Sequence, residues 1–288
     1  MKAHKIAMSG ASGFVGTNLT AAFEQRGWKV IPLGRADFRG SAEALARRME
    51  GADCIVNLAG APITGRWTEE YKKILYESRV HVTRSLVQAA ALMKSRAELF
   101  ISASAIGYYA ADGTHTEEDN VPADDFLGHL AHDWEAESHK AVHAGMRTVI
   151  FRFGVVLGKG GGALSQMVKP FRMGLGGTIG DGSQAFSWVH MEDLTRAFVE
   201  AAEDPSYEGV YNLTAPNPTT NRGLTGALGK ALGRPIIMRV PAFVLRLQLG
   251  EGAQVLIRGQ KVLPKRLLDR GFSFHFQDIE EAVRDCIA

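Results

Sequence analysis

The chain has 288 residues, 45% of them hydrophobic and 22% charged, with a formal net charge of +2 at pH 7. This length suits one large α/β domain or a main domain with a smaller one, and the small charge indicates neither a nucleic-acid nor a membrane partner. There is no signal-peptide core, and no apolar run reaches the ~18 residues of a membrane span. We therefore expect a cytoplasmic protein. The two cysteines, Cys54 and Cys286, have no CxxC neighbour, and we expect them to serve neither a metal nor a redox site.

The first half of the chain alternates short apolar runs with longer helical patterns, which predicts right-handed βαβ units around a parallel sheet. The predicted strands are Lys5–Ser9, Lys29–Leu33, Cys54–Asn57, Leu99–Ser102, Thr148–Phe153 and Gly209–Leu213. The predicted helices are Phe14–Arg26, Ser41–Met49, Thr68–Lys94, a helix around Leu130–Ala144, Glu192–Glu203, Asn221–Leu232 and Phe243–Ile257. In the helix from Thr68 to Lys94, the residues expected to face the sheet are Ile74, Val82, Leu86 and Val87.

Glycines become frequent beyond Phe153, and the stretch from Gly158 to Gly182 has little periodicity, which predicts a loop-rich region. We therefore predict an α/β protein with a Rossmann-type doubly wound parallel sheet and a smaller C-terminal α/β lobe on the substrate side. Residues 1–153 would form the main domain, joined by elements near 187–213 that return to its sheet, and residues 154–288 the lobe.

The strongest motif is GASGFVG at Gly10–Gly16, between the first predicted strand and the first predicted helix. In dinucleotide-binding folds the first glycine makes the tight turn, the second lets the backbone approach the pyrophosphate and the third lets helix and strand pack closely. The helix N-terminus then offers N–H groups to the phosphates. The cofactor contacts predicted from this turn are Gly10, Ser12, Gly13, Phe14, Val15 and Gly16.

The end of the second strand decides between NADP and NAD. An acidic residue there binds the ribose 2′-hydroxyl of NAD, whereas Arg35 suits a 2′-phosphate by charge and fork geometry. Asp37 lies two residues further on and keeps the NAD interpretation open, as does the alternative that Arg35 is an ordinary surface residue. The sequence favours NADP over NAD.

Small and hydroxyl-bearing residues close the third and fourth strands, where the nicotinamide side of a dinucleotide would lie. Ser102 and Ser104 are predicted to point their hydroxyls at the place of hydride chemistry. Arg79 suits the cofactor phosphates or an anionic substrate, with surface pairing to a nearby glutamate such as Glu77 as the alternative. Together with Arg35, the remaining predicted cofactor contacts are Leu58, Ala59, Gly60, Arg79, Ser102, Ala103 and Phe153.

The chain resembles the extended short-chain dehydrogenase/reductases of the NAD-dependent epimerase/dehydratase family, and within them the branch of epimerase family proteins similar to sugar-nucleotide epimerases. The resemblance runs over the whole length. It rests on Gly10–Gly16, Asn57–Ile63, Arg66–Trp67, Ser78–Val80, Ser102–Tyr109, Trp134–Glu135, Arg152–Gly158, Ser187–Asp193, Tyr211–Pro218 and Gly250–Phe272. It implies a Rossmann fold with a nucleotide-sugar-type cleft beneath the C-terminal lobe.

The resemblance also implies a catalytic tyrosine with a lysine four residues later on the helix before the fifth strand, because the lysine lowers the pKa of the phenol. None of the six tyrosines has lysine at that offset. The candidate substitutes are Ser104, which matches the catalytic serine position, and Tyr108, Tyr109 and His132 as proton donors. For the tyrosines, plain packing is the alternative, and for the histidine a place on the helix surface; His129 is a further candidate acid or base.

Two functions of different class follow. The first is an NADP-dependent oxidoreductase or epimerase with a non-standard proton donor, acting on a small molecule of unknown identity for which the resemblance implies a sugar-nucleotide-like compound. The second is a catalytically silent NADP(H)-sensing or regulatory protein. Related folds pair through the long helices that flank the sheet, so a homodimer is among the expectations.

Overall fold

The structure, a computed structural model, describes residues 4–288. Its strands are Lys5–Ser9 (β1), Lys29–Leu33 (β2), Cys54–Asn57 (β3), Leu99–Ala105 (β4), Thr114–His115 (β5), Arg147–Phe153 (β6), Val155–Leu157 (β7), Gly177–Ile179 (β8), Ala185–Phe186 (β9), Trp188–His190 (β10), Gly209–Leu213 (β11), Thr219–Thr220 (β12), Met238–Val240 (β13) and Lys261–Val262 (β14). Its α-helices are Phe14–Gln25 (α1), Ala42–Met49 (α2), Glu69–Tyr76 (α3), Val82–Ala91 (α4), Phe126–His139 (α5), Gly162–Arg172 (α6), Met191–Glu203 (α7), Asn221–Leu232 (α8), Ala242–Leu249 (α9), Gln254–Ile257 (α10), Lys265–Asp269 (α11) and Ile279–Ile287 (α12).

Six strands form one sheet in the order β11-β6-β4-β3-β1-β2, and every neighbouring pair is parallel. The strand order reverses between β1 and β3, where parallel α/β sheets bind ligands beyond the carboxyl ends of their strands. The predicted Rossmann-type doubly wound sheet is confirmed, and the predicted strand Gly209–Leu213 joins it as β11, at one edge of the sheet. The remaining strands pair two by two: β7 with β10, β9 with β12, β8 with β13 and β5 with β14.

Successive side chains of a strand point to opposite faces of the sheet, and helices cover both faces. In β1, Ile6 and Met8 join the cluster that contains residues of α1 and α7, whereas Ala7 joins the cluster under α2 and α4. A third apolar cluster lies in the C-terminal part of the chain and combines residues of α6, α8 and α12 with Trp188. Within residues 4–288 no helix combines the length and the apolar character that crossing a membrane requires.

The predicted helix from Thr68 to Lys94 is interrupted by a π-helical segment, Glu77–His81, between α3 and α4. A π turn inserts an extra residue, so the residues before it are rotated about the helix axis relative to their positions in a continuous α-helix. The expectation that Ile74 faces the sheet is therefore wrong: its side chain is 48% exposed, and Leu75 is the buried residue. Leu86, beyond the interruption, is buried as predicted.

Two further differences concern glycines. The loop-rich stretch after Gly158 contains helix α6, because Gly161 and Gly162 carry no side chain where the ring of Phe14 packs: a Cβ there would lie 2.3 and 2.7 Å from ring atoms. The predicted helix Phe243–Ile257 is divided into α9 and α10 at Gly250, whose φ of +57° ends the first part.

The C-terminal helix α12 meets β10 at His190. The ring of His190 stacks on Phe276 at 3.7 Å between centroids, its Nδ1 accepts the backbone N–H of Glu192, and its Nε2 lies 3.3 Å from a carboxylate oxygen of Asp285. Cys286 lies close enough to complete a three-ligand cluster. Because Nδ1 accepts a hydrogen bond, the neutral ring carries its proton on Nε2, and we expect this cluster to hold no metal.

Burial lowers the pKa of His190 below its ordinary value of 6.5, against the opposing effect of Asp285. In the unfolded chain the group protonates first as the pH falls, so the unfolded state binds more protons below about pH 6.5. We expect the free energy of unfolding to decrease as the pH falls from about 6.5 towards 5, and His190→Gln to flatten that dependence. Urea unfolding at several pH values measures both; equal slopes for the two proteins would contradict the prediction.

Candidate functional site

The turn between β1 and α1 is built from glycines that no other residue can replace without moving the backbone. Gly10 has a φ of +71°, and a Cβ on it would lie 2.8 Å from the carbonyl oxygen of Leu58. A Cβ on Gly16 would lie 2.2 Å from the carbonyl oxygen of Gly10. Gly13 is the N-cap of α1 and no side chain caps that helix end, so its first N–H groups face outward beside exposed Ser12. This is the geometry that phosphate binding at a helix N-terminus requires.

The two apolar residues of the turn have different positions. Val15 lines the main cleft of the protein. Phe14 packs its ring under the glycine loop before α6. It therefore connects the turn between β1 and α1 to the C-terminal part of the chain.

The end of β2 presents Arg35 to solvent. Within residues 4–288 Arg35 makes no hydrogen bond or ion pair. The rival residue, Asp37, turns back on its own loop: its carboxylate accepts the N–H of Gly34 at 2.7 Å and lies 3.8 Å from Arg48. Arg35 is therefore available to a ligand, whereas Asp37 is engaged in holding the turn.

A cleft of about 460 Å³ lies between the carboxyl ends of the sheet strands and the C-terminal part of the chain. Of the predicted site residues, those that line it are Val15, Leu58, Ala59, Gly60, Arg79, Ala103, Ser104 and Phe153. The opposite wall comes from residues 179–187 and 254–260, with Asn221 between them. The sequence analysis did not identify that wall: Ser187 and residues 254–260 lie in segments that carry the resemblance, but no role followed from it for them.

Arg79 lies at the sheet side of the cleft. Its guanidinium donates to the carbonyl oxygens of Ala61 at 2.9 Å and Leu75 at 3.3 Å, and a Cβ on Gly60 would come within 3.0 Å of it. Burial lowers the pKa of Arg79 to about 10. The alternative of surface pairing with Glu77 is wrong, since Glu77 lies beside Lys73 instead.

Ser104 reaches the cleft, but its hydroxyl is engaged. It donates to Glu135 at 2.6 Å, and Arg152 holds the same carboxylate through two hydrogen bonds of 2.7 Å. All three side chains are buried. The sequence analysis missed this pair; the available signal was a charged residue, Arg152, between two phenylalanines of a strand.

Four residues predicted to lie near the place of hydride or proton transfer do not line the cleft: Ser102, Tyr108, Tyr109 and His132. Ser102 is fully buried beneath it and donates to the carbonyl oxygen of Ala103. The expectation that Tyr108 or Tyr109 reaches the cleft is corrected: the hydroxyl of Tyr108 donates to the carbonyl oxygen of Asn120, and that of Tyr109 to Asn212. Burial raises the pKa of Tyr109 to about 12, far from neutral pH.

His132 is likewise outside the cleft, on the exposed side of α5, with Nδ1 3.2 Å from Asp133. Together with Tyr108 it lines a separate cavity of about 270 Å³. The Glu135–Arg152 pair also borders that cavity, opposite to Ser104. His132 and Ser104 therefore belong to two different spaces.

The face of α5 that lines the cleft is apolar. Its residues are Leu127, Leu130, Ala131 and Trp134. Leu127 and Ala131 are four residues apart, the spacing that the resemblance implies for tyrosine and lysine. Among the described residues that line the cleft, only Arg79 and Arg258 carry an ionisable group, and an arginine stays protonated at neutral pH. No side chain of this wall can exchange a proton with a ligand near pH 7.

Comparison with known proteins gives one family. A sequence model of the NAD dependent epimerase/dehydratase family matches residues 6–214, and a domain of unknown function, DUF1731, matches residues 240–286. The chain is 38% identical to the chloroplastic "Epimerase family protein SDR39U1 homolog" of Arabidopsis thaliana, over 97% of this chain and 85% of that one. It is 36% identical to "Epimerase family protein YfhF" of Bacillus subtilis, over 98% of both. The crystal structure of human epimerase family protein SDR39U1 (isoform 2) with NADPH is similar, with a TM-score of 0.88, 33% identity and 98% coverage of both chains.

Proposed function

The chain belongs to the NAD dependent epimerase/dehydratase family, and on that premise we propose that it is an NADPH-binding protein that acts through binding and not through turnover. The observation that carries this proposal is the apolar face of α5, with Leu127 and Ala131 at the spacing of the family's tyrosine and lysine. A second observation supports it: the hydroxyl hydrogen of Ser104 is committed to Glu135. A carbonyl or alcohol substrate would find no side-chain proton donor there.

The residues of the cleft fit the dinucleotide. The glycine turn leaves a cradle that any Cβ would fill at Gly10 or Gly16, the α1 N-terminus offers N–H groups to the pyrophosphate, and Arg35 suits the 2′-phosphate. Ala59 and Gly60 leave room for the ribose at the end of β3. Bound NADPH would bring a reduced nicotinamide, which is a potential hydride donor, into the cleft. The human relative that was crystallised with NADPH supports the choice of cofactor.

Replacing Arg35 with alanine is expected to weaken NADPH binding at least tenfold, about 1.4 kcal/mol, because the 2′-phosphate loses its charged partner. NADH binding should change by less than about twofold, since NADH has no 2′-phosphate. Calorimetric titration of the cofactor-free protein with each dinucleotide measures both. Arg39→Ala, which removes another exposed arginine of the same loop, is the matched control. Equal loss for NADPH and NADH would contradict the assignment of Arg35 to the 2′-phosphate.

A reductase is the second candidate function, and one observation favours it. The cleft continues past the sheet to residues 179–187 and 254–260, which leaves space for a second ligand beside the dinucleotide. A substrate that takes its proton from solvent water would need no side-chain donor.

Consumption of NADPH distinguishes the two candidate functions. Saturable NADPH binding without NADPH consumption, over a panel of carbonyl, imine and quinone compounds, supports the binding protein. Consumption of NADPH that depends on the cleft, and falls in the Leu127→Asn variant, would overturn that proposal in favour of the reductase.

A further inference from the structure

The half of the cleft on the side of the C-terminal lobe is separate from the elements that fit the dinucleotide. It is lined from Ile179 to Ser187 and from Gln254 to Gln260, together with the apolar face of α5. The glycine turn, Arg35 and Arg79 all lie on the other side. The side chains that line this half, called the lobe half below, therefore indicate the chemical class of a second ligand.

Three polar side chains in this half form hydrogen bonds with the protein backbone. The amide nitrogen of Gln184 donates to the carbonyl oxygens of Ile179 and Leu256, at 3.3 and 3.2 Å. The hydroxyl of Ser187 donates to the carbonyl oxygen of Gln260 at 2.9 Å, and the side-chain oxygen of Asn221 accepts the N–H of Ile179 at 2.9 Å. These hydrogen bonds hold the wall together, whereas the side-chain amides of Gln254 and Gln260 form no hydrogen bond within residues 4–288 and remain free for a ligand.

Most of the remaining surface is apolar. Opposite the α5 face, whose residues are given above, the wall presents Phe186, Val255 and Leu256. A sugar ring against this apolar surface would lose the hydration of hydroxyl groups that find no partner on it, and an unpaired polar group in an apolar site is costly. A site of this composition selects an apolar body and discriminates against a polyhydroxylated one.

Arg258 is the exception. It follows α10, is exposed, and has no carboxylate within 4.0 Å among residues 4–288. The backbone next to Arg258 is held in place at Gly259. A Cβ on Gly259 would lie 1.8 Å from the carbonyl oxygen of Ala185, so this backbone packs directly on β9. Among residues 4–288, no aspartate or glutamate lines the cleft. The lobe half thus presents an apolar chamber with a single uncompensated cation.

We propose that the second ligand of the cleft is an apolar organic anion, with its apolar body against the α5 face and a carboxylate or similar group at Arg258, and not a nucleotide-linked sugar. This inference rests on the proposed function in that NADPH occupies the sheet side of the same cleft.

The probe is 2-naphthoate, an apolar ring system with one carboxylate, compared with its uncharged counterpart naphthalene-2-carboxamide and with UDP-glucose. Calorimetric titrations use the full chain, with and without saturating NADPH. We expect naphthoate to bind more tightly than the carboxamide, and UDP-glucose neither to bind nor to displace naphthoate. Arg258→Gln should weaken naphthoate about tenfold and leave the carboxamide unchanged. Leu127→Asn should weaken both by the same factor.

Arg246→Gln, on exposed α9, is the control for a general loss of positive charge and should change neither affinity. The proposal is overturned if UDP-glucose displaces naphthoate, or if Arg258→Gln weakens both naphthalene compounds equally or neither. NADPH is titrated separately. Absence of NADPH binding would refute the proposed function. The naphthoate comparison is also made on the cofactor-free protein, so it would still test the proposal of an apolar anion.

Discussion

Replacing Arg152 with leucine is expected to lower the free energy of unfolding by about 3–5 kcal/mol. The guanidinium holds Glu135 through two hydrogen bonds of 2.7 Å and donates a third to Tyr109. Both charged side chains are only 6% exposed, so removal of the arginine leaves a carboxylate buried without its counter-charge. The variant is expected to fold with reduced stability, which urea unfolding followed by circular dichroism measures.

Two controls separate the buried charge from the loss of packing. The double variant Glu135→Leu with Arg152→Leu should recover most of the stability, because removing both members of a buried pair is often neutral. Arg26→Leu breaks the exposed pair with Glu203, whose side chains are 58% and 40% exposed, and should cost less than about 1 kcal/mol. If Arg152→Leu costs no more than Arg26→Leu, the buried pair is not a main contributor to stability.

Replacing Gly10 with alanine is expected to raise the dissociation constant for NADPH at least 100-fold, about 2.7 kcal/mol. Two effects combine at this position: a φ of +71° strains any residue with a Cβ, and that Cβ would press on the carbonyl of Leu58 at 2.8 Å. The turn must therefore move, and with it the N–H groups at the start of α1. Calorimetric titration of the folded variant with NADPH tests this.

Gly27→Ala is the matched control, since Gly27 also has a positive φ, +80°, but a Cβ there meets nothing within 4 Å. It should cost about 1 kcal/mol of stability and leave NADPH binding unchanged. An unaltered NADPH affinity in Gly10→Ala, or an equal loss in both variants, would contradict the role assigned to the turn.

The Ser104–Glu135–Arg152 network also bears on the proposed function. A serine that donates to a buried carboxylate at 2.6 Å cannot donate the same hydrogen to a substrate oxygen. The serine that the resemblance places at the catalytic position is therefore engaged in the wall of the cleft.

Much of the sheet could be predicted because its signals are local. The bounds of β1, β2, β3 and β11 follow from apolar runs between turn residues, and the glycine motif predicts the turn because its spacing fits one backbone geometry. Helix α8 was likewise predicted at both ends, where Thr220 caps its start and Gly233 its end. In each case the deciding residues are neighbours in the chain.

Long-range contacts decided the rest. Tyr109 is held away from the cleft by Asn212, 103 residues later, and Ser187 is satisfied by the carbonyl of Gln260, 73 residues later. Which residues of α3 face the sheet depends on the π-helical segment that follows it. By itself, the sequence determined the fold class, the phosphate turn and the absence of the tyrosine–lysine pair, since each is a pattern of adjacent residues. Only the tertiary structure decided which side chains line the cleft, because the direction and the hydrogen-bonding capacity of a side chain depend on partners that the chain brings in from elsewhere.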